Sequence, residues 1–260
     1  MTDQATRARN FAALHVKGDP VIIYNAWDGG SAKTIAGCGA KAIATGDHPA
    51  GFAHGFGKDD FDGFTFDIYL QTIKEIALRI GDLPFSVDIS NGDGLDVAGL
   101  QDRVRTLLAL GVVGINFEDR LGDSSGVKPV ADQVERIAAL RAAADEAGGP
   151  LFINARTALF LTAGETPPTD LMDDAIGRAA AYQAAGANGF FAPALMDEQL
   201  IKQLCDAVEM PVNIIRLPGA PGTKALAAAG VSRVSYGPVP HMEMTAWLKD
   251  KATAALNDKV

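Results

Sequence analysis

Proline and glycine punctuate this 260-residue chain in strict alternation, and that punctuation limits its fold more than any other feature. Proline opens segments rich in β-forming residues: Pro20 before VIIYNAW, Pro84 before FSVDI, Pro150 before LFINAR and Pro211 before VNIIR. At the first residue of a strand, proline sacrifices no ladder hydrogen bond. The intervening strand candidates follow glycines at expected helix ends: GAKAIATG after Gly39, GVVGINFED from Gly111, GANGFFAPA from Gly186 and GVSRVSYGP from Gly230. Glycine just past a helix fits the left-handed cap that ends it. Segments of helical period, such as 129–148 and 170–186, lie between the strands. Strand and helix alternating in this way, with continuous β-branched strands, predict a parallel sheet covered by helices. The length suits one (β/α)8 TIM barrel, a single α/β domain over residues 1–260. An open doubly wound sheet is the competing arrangement, but YNAWDGGSA after the first strand lacks GxGxxG spacing.

Apolar residues make up 48% of the chain and charged residues 21%, which supplies a large core and argues against disorder. A net charge of −9 counts against nucleic acid or an anionic membrane as partner. No apolar run approaches the ~20 residues of a membrane span. The opening MTDQATRARNFAALHVKGD lacks the apolar core and cleavage site of a secretory signal. Cys38 and Cys205 are the only cysteines and form no CxxC pair, so a reduced, cytoplasmic setting is expected. Both are expected inside helices as small, buried apolar residues.

In such barrels chemistry collects at the C-terminal strand ends. Read in order, those ends offer Asn25, Trp27 and Asp28; Gly46, Asp47 and His48; Asp88 and Ser90; Glu118 and Asp119; Asn154 and Arg156; Pro193; Asn213 with Arg216; and Gly237-Pro238. The third, fourth and fifth strands thus place Asp88, Glu118 and Arg156 side by side. Two carboxylates suit Mg²⁺, which keeps several waters and takes few protein ligands. A neighbouring guanidinium suits a substrate carboxylate or phosphonate held in a fork. Together, metal and arginine would stabilise charge developing on an enolate oxygen. The alternative is a purely structural ion pair between Glu118 or Asp119 and Arg156. No strand end carries a lysine, which argues against a Schiff-base aldolase.

The segments NAWDGGSA (25–32), AIATG (42–46), VGINFEDR (113–120), LFINART (151–157) and PVNII (211–215) resemble the isocitrate lyase/phosphoenolpyruvate mutase superfamily over roughly residues 12–256. The resemblance implies a Mg²⁺-dependent lyase or phosphonomutase acting on a small 2-oxo or 2-hydroxy acid through an enolate-type intermediate. It implies a metal held directly by Asp88 and through waters by Glu118 and Asp60, with Asp59 as a register alternative. It further implies that Arg156 and the backbone of Gly46-Asp47-His48 grip the substrate carboxylate. Finally, it implies that the last helix, about 241–256, is swapped between subunits of a homodimer or homotetramer.

Departures from the family pattern bear on activity. A second carboxylate is usual two residues after the metal-binding aspartate, followed by Gly-Tyr-Gly; here stand Ser90 and Gly92-Asp93-Gly94. Asp93 is a candidate to restore that charge. The thiol-bearing loop of the lyases is absent: the loop after strand four reads Arg120-LGDSSGVK-Pro129. Asp123, Ser124 and Ser125 are its only polar candidates for substrate contact, although Gly/Asp/Ser clusters form turns by default. Where the family often closes the site with an aromatic on strand two, this chain has Ala44, so either the site is wider or Trp27, Phe52 or Phe56 closes it. His48 and Ser124 are the acid–base candidates. Ser90 in place of a carboxylate and the shortened loop after strand four also motivate a second reading, a barrel that binds a small carboxylate without catalysis.

Overall fold

The computed structural model describes residues 3–57, 59–122 and 125–257. Its strands are β1 (Val21–Ile23), β2 (Ile43–Thr45), β3 (Phe85–Asp88), β4 (Gly114–Glu118), β5 (Phe152–Arg156), β6 (Gly189–Phe191), β7 (Val212–Ile215) and β8 (Arg233–Ser235). All pair in parallel in the order β1-β8-β7-β6-β5-β4-β3-β2. A parallel bridge between Ala26 and Thr45 completes the circle, with Ala26 N–H donating to Ala44 O at 2.8 Å. The TIM barrel expected from the punctuation is present. Pro84 and Pro211 sit just outside β3 and β7, where their carbonyls accept from Ile43 and Phe190 at 2.9 Å.

The helices are α1 (Gln4–Ala13), α2 (Gly29–Gly37), α3 (Asp47–Ala53), α4 (Phe66–Ala77), α5 (Val97–Ala109), α6 (Val130–Glu146), α7 (Met172–Ala184), α8 (Glu198–Ala207), α9 (Thr223–Ala228) and α10 (Val239–Leu256). Strand residues alternate between two environments, as the pleat requires. Ile115, Phe117, Ile153, Phe190 and Val212 point outward into the main core against the helices. Inward residues of the lower barrel, Val21, Ile23, Ala44 and Phe152, pack with Phe11 of α1, which closes the N-terminal end. Phe11 comes so close that a Cβ on Gly114 would lie 2.6 Å from its ring. At the opposite end, Gly92 makes the sharp turn after β3 at φ +81°, where a Cβ would meet Leu100 at 2.5 Å.

α10 leaves the barrel after its first turn. His241 is buried between the rings of Trp27 and Phe52, but Met242, Trp247, Leu248 and Leu256 stand exposed. A groove of about 700 Å³ runs along the outside of β1, lined by Leu14, Val21, Ile22, Tyr24, Ile35 and Cys38. Cys205 is buried as expected, whereas Cys38 caps the end of α2 and is exposed. Among the described residues, no helix is long and apolar enough to cross a membrane.

Candidate active site

Register brings the strand-end charges together. Glu118 and Arg156 are direct partners across β4 and β5, and Asp88 pairs with Asn116 across β3 and β4. The Arg156 guanidinium bridges both acids, with Nη1 3.1 Å from Asp88 Oδ2 and Nε 2.9 Å from Glu118 Oε1. The second contact is an ion pair without hydrogen-bond alignment, so Glu118 Oε1 is buried with no hydrogen-bond partner among the described residues. Burial pushes the Glu118 carboxyl above its ordinary range, with Arg156 and Arg120 only partly opposing. Burial also disfavours the Arg156 cation, but Asp88, Glu118 and Asp47 outweigh that and raise its pKa.

Beneath the charges lies a ladder of buried carboxamides. Asn116 Nδ2 donates to Asp88 Oδ2 at 3.0 Å, and Asn154 Nδ2 donates to Asn116 Oδ1 at 2.9 Å and to Asn213 Oδ1 at 3.1 Å. Asn213 Nδ2 continues to Ser235 Oγ at 3.1 Å. Each amide is oriented by the next, so Asp88 is held by groups that cannot move independently. Asp88 Oδ1 accepts from Ser90 N at 2.9 Å.

A third carboxylate joins from the second strand's loop. Asp47 Oδ2 accepts a short hydrogen bond from Ser90 Oγ, while its Oδ1 accepts from His48 N at 2.7 Å and lies 2.9 Å from His48 Nδ1. Burial raises the Asp47 carboxyl, but the histidine's bond and charge, the Ser90 hydroxyl and Arg156 together outweigh it and bring the pKa to about 2. His48 is raised in return, chiefly by the bond to Asp47. Its ring stacks on Phe61 at 4.7 Å. Ser90 adopts left-handed φ, +47°; such a conformation costs a non-glycine residue about 1 kcal/mol or more and clusters at functional sites.

Asp47 and Asp88 stand between two cavities. The barrel mouth, about 220 Å³, is lined by Asn25, Gly46, His48, Arg120, Arg156 and Phe191, among others. A side cavity of about 460 Å³ adds Asp62, Tyr69, Ser90, Asp93 and Arg103. Two buried carboxylates, Asp88 and Glu118, face the half-buried Arg156 here, oxygen donors that fit a hard divalent cation. Among the described residues no three acids or histidines already form a metal cage, so the set fits an ion that retains much of its own water.

Other expected site residues have different surroundings. Asp60 and Asp59 are exposed, and Asp60 Oδ1 accepts from Gly57 N at 2.6 Å; Asp62 is the acid of that loop that lines the side cavity. Asp93 is tied to Arg103 at 2.6 Å, so its charge is compensated there rather than offered to Asp88. Asp119 pairs with neither Arg120 nor Arg156: its side chain points outward to Tyr182 and Arg178. Trp27 packs edge-on against His241, and Phe191 is the aromatic lining the mouth. Asn213 belongs to the carboxamide ladder. The His48 N–H, expected for substrate, is engaged by Asp47. Asp28 caps α2 through Ser31 N at 2.7 Å, and Asn25 Oδ1 accepts from Gly237 N at 2.8 Å. Asp123 and Ser124 lie outside the described residues; the rest of their loop folds back through a bridge between Arg120 and Val127. The Asp47 side chain was not legible beforehand, since only folding sets it against Ser90, 43 residues away in sequence.

The family model described as phosphoenolpyruvate phosphomutase matches residues 11–256. The chain is 30% identical to 2-methylisocitrate lyase of Escherichia coli K12 over 87% of its own length and 76% of the relative's. It is 25% identical to oxaloacetate decarboxylase 2 of Pseudomonas fluorescens Pf0-1, covering 86% of this chain and 72% of that one. Among solved structures it superposes on a "putative phosphonomutase" from Burkholderia cenocepacia J2315 with a TM-score of 0.91 and 35% identity, over 97% of this chain and 100% of that one.

Proposed function

Because the chain belongs to the phosphoenolpyruvate phosphomutase family, within the isocitrate lyase/phosphoenolpyruvate mutase superfamily of lyases and phosphonomutases, we propose that it is a Mg²⁺-dependent enzyme that breaks or forms a C–C or P–C bond beside the carbonyl of a small 2-oxo or 2-hydroxy acid. The observation that carries this reading is Arg156, a half-buried guanidinium spanning Asp88 and Glu118 beside a cavity of about 220 Å³. That volume is below the range of drug-sized pockets and suits a small acid.

Asp88 would hold the ion, with Glu118 reaching it through water by the Oε1 that has no hydrogen-bond partner among the described residues. Asp62 is better placed than Asp60 to be the water-linked acid of the loop after β2. Bound there, Mg²⁺ would polarise the substrate's 2-oxo group. Arg156 forks the substrate carboxylate and faces the charge that develops on the enolate oxygen, and its own burial in a low-dielectric mouth strengthens both interactions. The carboxamide ladder keeps Asp88 in one orientation, so the site need not reorganise during reaction. Ser124 remains a candidate for substrate contact from the loop after β4.

Thermal unfolding with and without Mg²⁺, against oxaloacetate, pyruvate, phosphonopyruvate and 2-methylisocitrate, tests this. A rise in melting temperature requiring metal and one acid together, followed by turnover of that acid, is expected. Stabilisation by an acid regardless of metal, with no turnover, would favour the second reading, a carboxylate-binding barrel, for which Ser90 and the short loop are the motive.

For assembly the reading is a homodimer or homotetramer. The unpartnered apolar residues of α10 and the groove along β1 are each of the kind that subunit contact covers. With Trp247 60% exposed and Leu248 53% exposed, a second copy of this chain is the partner they fit.

A further inference from the structure

The loop after β4 carries no thiol, so proton transfer in this site needs another group. The mouth supplies one. His48 and Arg156 line the same cavity. Asp47 engages the imidazole ring through Nδ1, and among the described residues Nε2 has no hydrogen-bond partner. The ring is fixed on one face by Phe61 and at its edge by Phe52. Asp47 is in turn fixed by Ser90, whose hydroxyl donates to its Oδ2. A carboxylate at residue 90 would stand directly against Asp47, so serine there and aspartate at 47 form a matched pair.

We propose that His48, oriented by Asp47 and Ser90, is the group that protonates the enolate carbon, and hence that this enzyme cleaves a C–C or P–C bond to release a protonated acid rather than forming a phosphonate. This rests on the enolate reading above. The step is balanced: the imidazolium gives its Nε2 proton to C3, the enolate π pair forms the new C–H bond, the C2–O bond becomes a carbonyl, and His48 is left neutral. A mutase returns its enolate to phosphorus and needs no such donor. The charged groups around His48 are Asp47 beside it and, farther off, Asp88 and Arg156. The carboxylates favour the imidazolium and the arginine opposes it. Asp47 and Ser90 are positioning residues, since neither touches the reacting carbon.

The test is exchange of the methyl protons of pyruvate in D₂O, followed by NMR at saturating pyruvate with Mg²⁺, in the wild type, His48→Gln, Asp47→Asn and Ser90→Ala. The wild type should exchange. His48→Gln, a change at a side chain 49% exposed, should fold normally and retain pyruvate-induced thermal stabilisation. Its exchange should fall about 100-fold or more, the scale of a lost general acid. Asp47→Asn should lower the rate and also move the histidine limb of the pH–rate profile to lower pH, which a merely structural residue would not do. Ser90→Ala should show the same shift in smaller degree. Undiminished exchange in His48→Gln overturns this inference and leaves the enolate reading standing. Absence of exchange in a wild type that pyruvate and Mg²⁺ together stabilise overturns the inference that His48 protonates a pyruvate enolate, while the enolate reading is judged separately by turnover of the acid panel.

Discussion

Glu118 and Asp119 are neighbours in sequence, yet the barrel assigns them to opposite sides of its wall, and mutation should separate them. Asp119 is 0% exposed. Its Oδ1 accepts from Ala158 N at 2.8 Å, and its Oδ2 accepts from Tyr182 Oη at 2.7 Å and lies 3.3 Å from Arg178 Nη1. Arg178 also reaches Lys128 O at 2.9 Å, which pins the end of the loop after β4. Asp119→Asn removes the charge facing a buried guanidinium. Breaking one side of a buried pair costs about 3–5 kcal/mol, and Asp174, 3.0 Å from Arg178 Nε, retains part of the compensation. The lower end, about 3 kcal/mol, is therefore expected. At about 2–4 °C per kcal/mol for a chain of this size, Tm should drop by about 6–12 °C. Turnover measured well below that Tm should remain near wild type. Glu118→Gln should do the reverse, removing the Mg²⁺-dependent ligand stabilisation and turnover while costing little stability. Differential scanning calorimetry paired with an assay of the acid identified by thermal shift measures both. An Asp119→Asn protein with unchanged Tm and lost turnover would refute the assignment of faces.

Glu118 also predicts a pH dependence: burial raises its folded pKa above the ordinary glutamate value, so its contribution to stability is present at acid pH and lost as pH rises through the folded pKa. The Tm of Glu118→Gln relative to wild type should thus climb between acid and neutral pH. His15 has the opposite sign. Burial, then the nearby Arg233 charge, lowers it to about 3, so wild-type stability should fall by about 1.4 kcal/mol per pH unit as pH drops from 6.5 toward 3. His15→Gln should flatten that slope in denaturant titrations. Arg156→Gln should abolish turnover by about 100-fold or more, and kinetics at saturating substrate would show whether the loss lies in kcat. Trp247→Glu should lower the assembly state in analytical ultracentrifugation without altering the far-UV spectrum of the barrel.

The chain's own punctuation determined the barrel. Proline before one strand and glycine before the next are local devices, and local chemistry survives being read in one dimension. Asp88, Glu118 and Arg156 were legible for the same reason, because strand ends in a barrel converge whatever the details of packing. Period-two alternation separates Glu118 from Asp119, but which of the two faces inward depends on where β4 enters the barrel. Asp47 was visible only as a residue near a strand end; its bond to Ser90 crosses from the loop after β2 to the turn after β3. Asp60 and Asp62 differ by two positions in one loop, and only the path of that loop decides which reaches the cavity. Hydrophobic pattern and turn propensity are properties of adjacent residues and so belong to the sequence. The partner of a charge depends on distances between elements far apart along the chain, and those exist only after the barrel has closed.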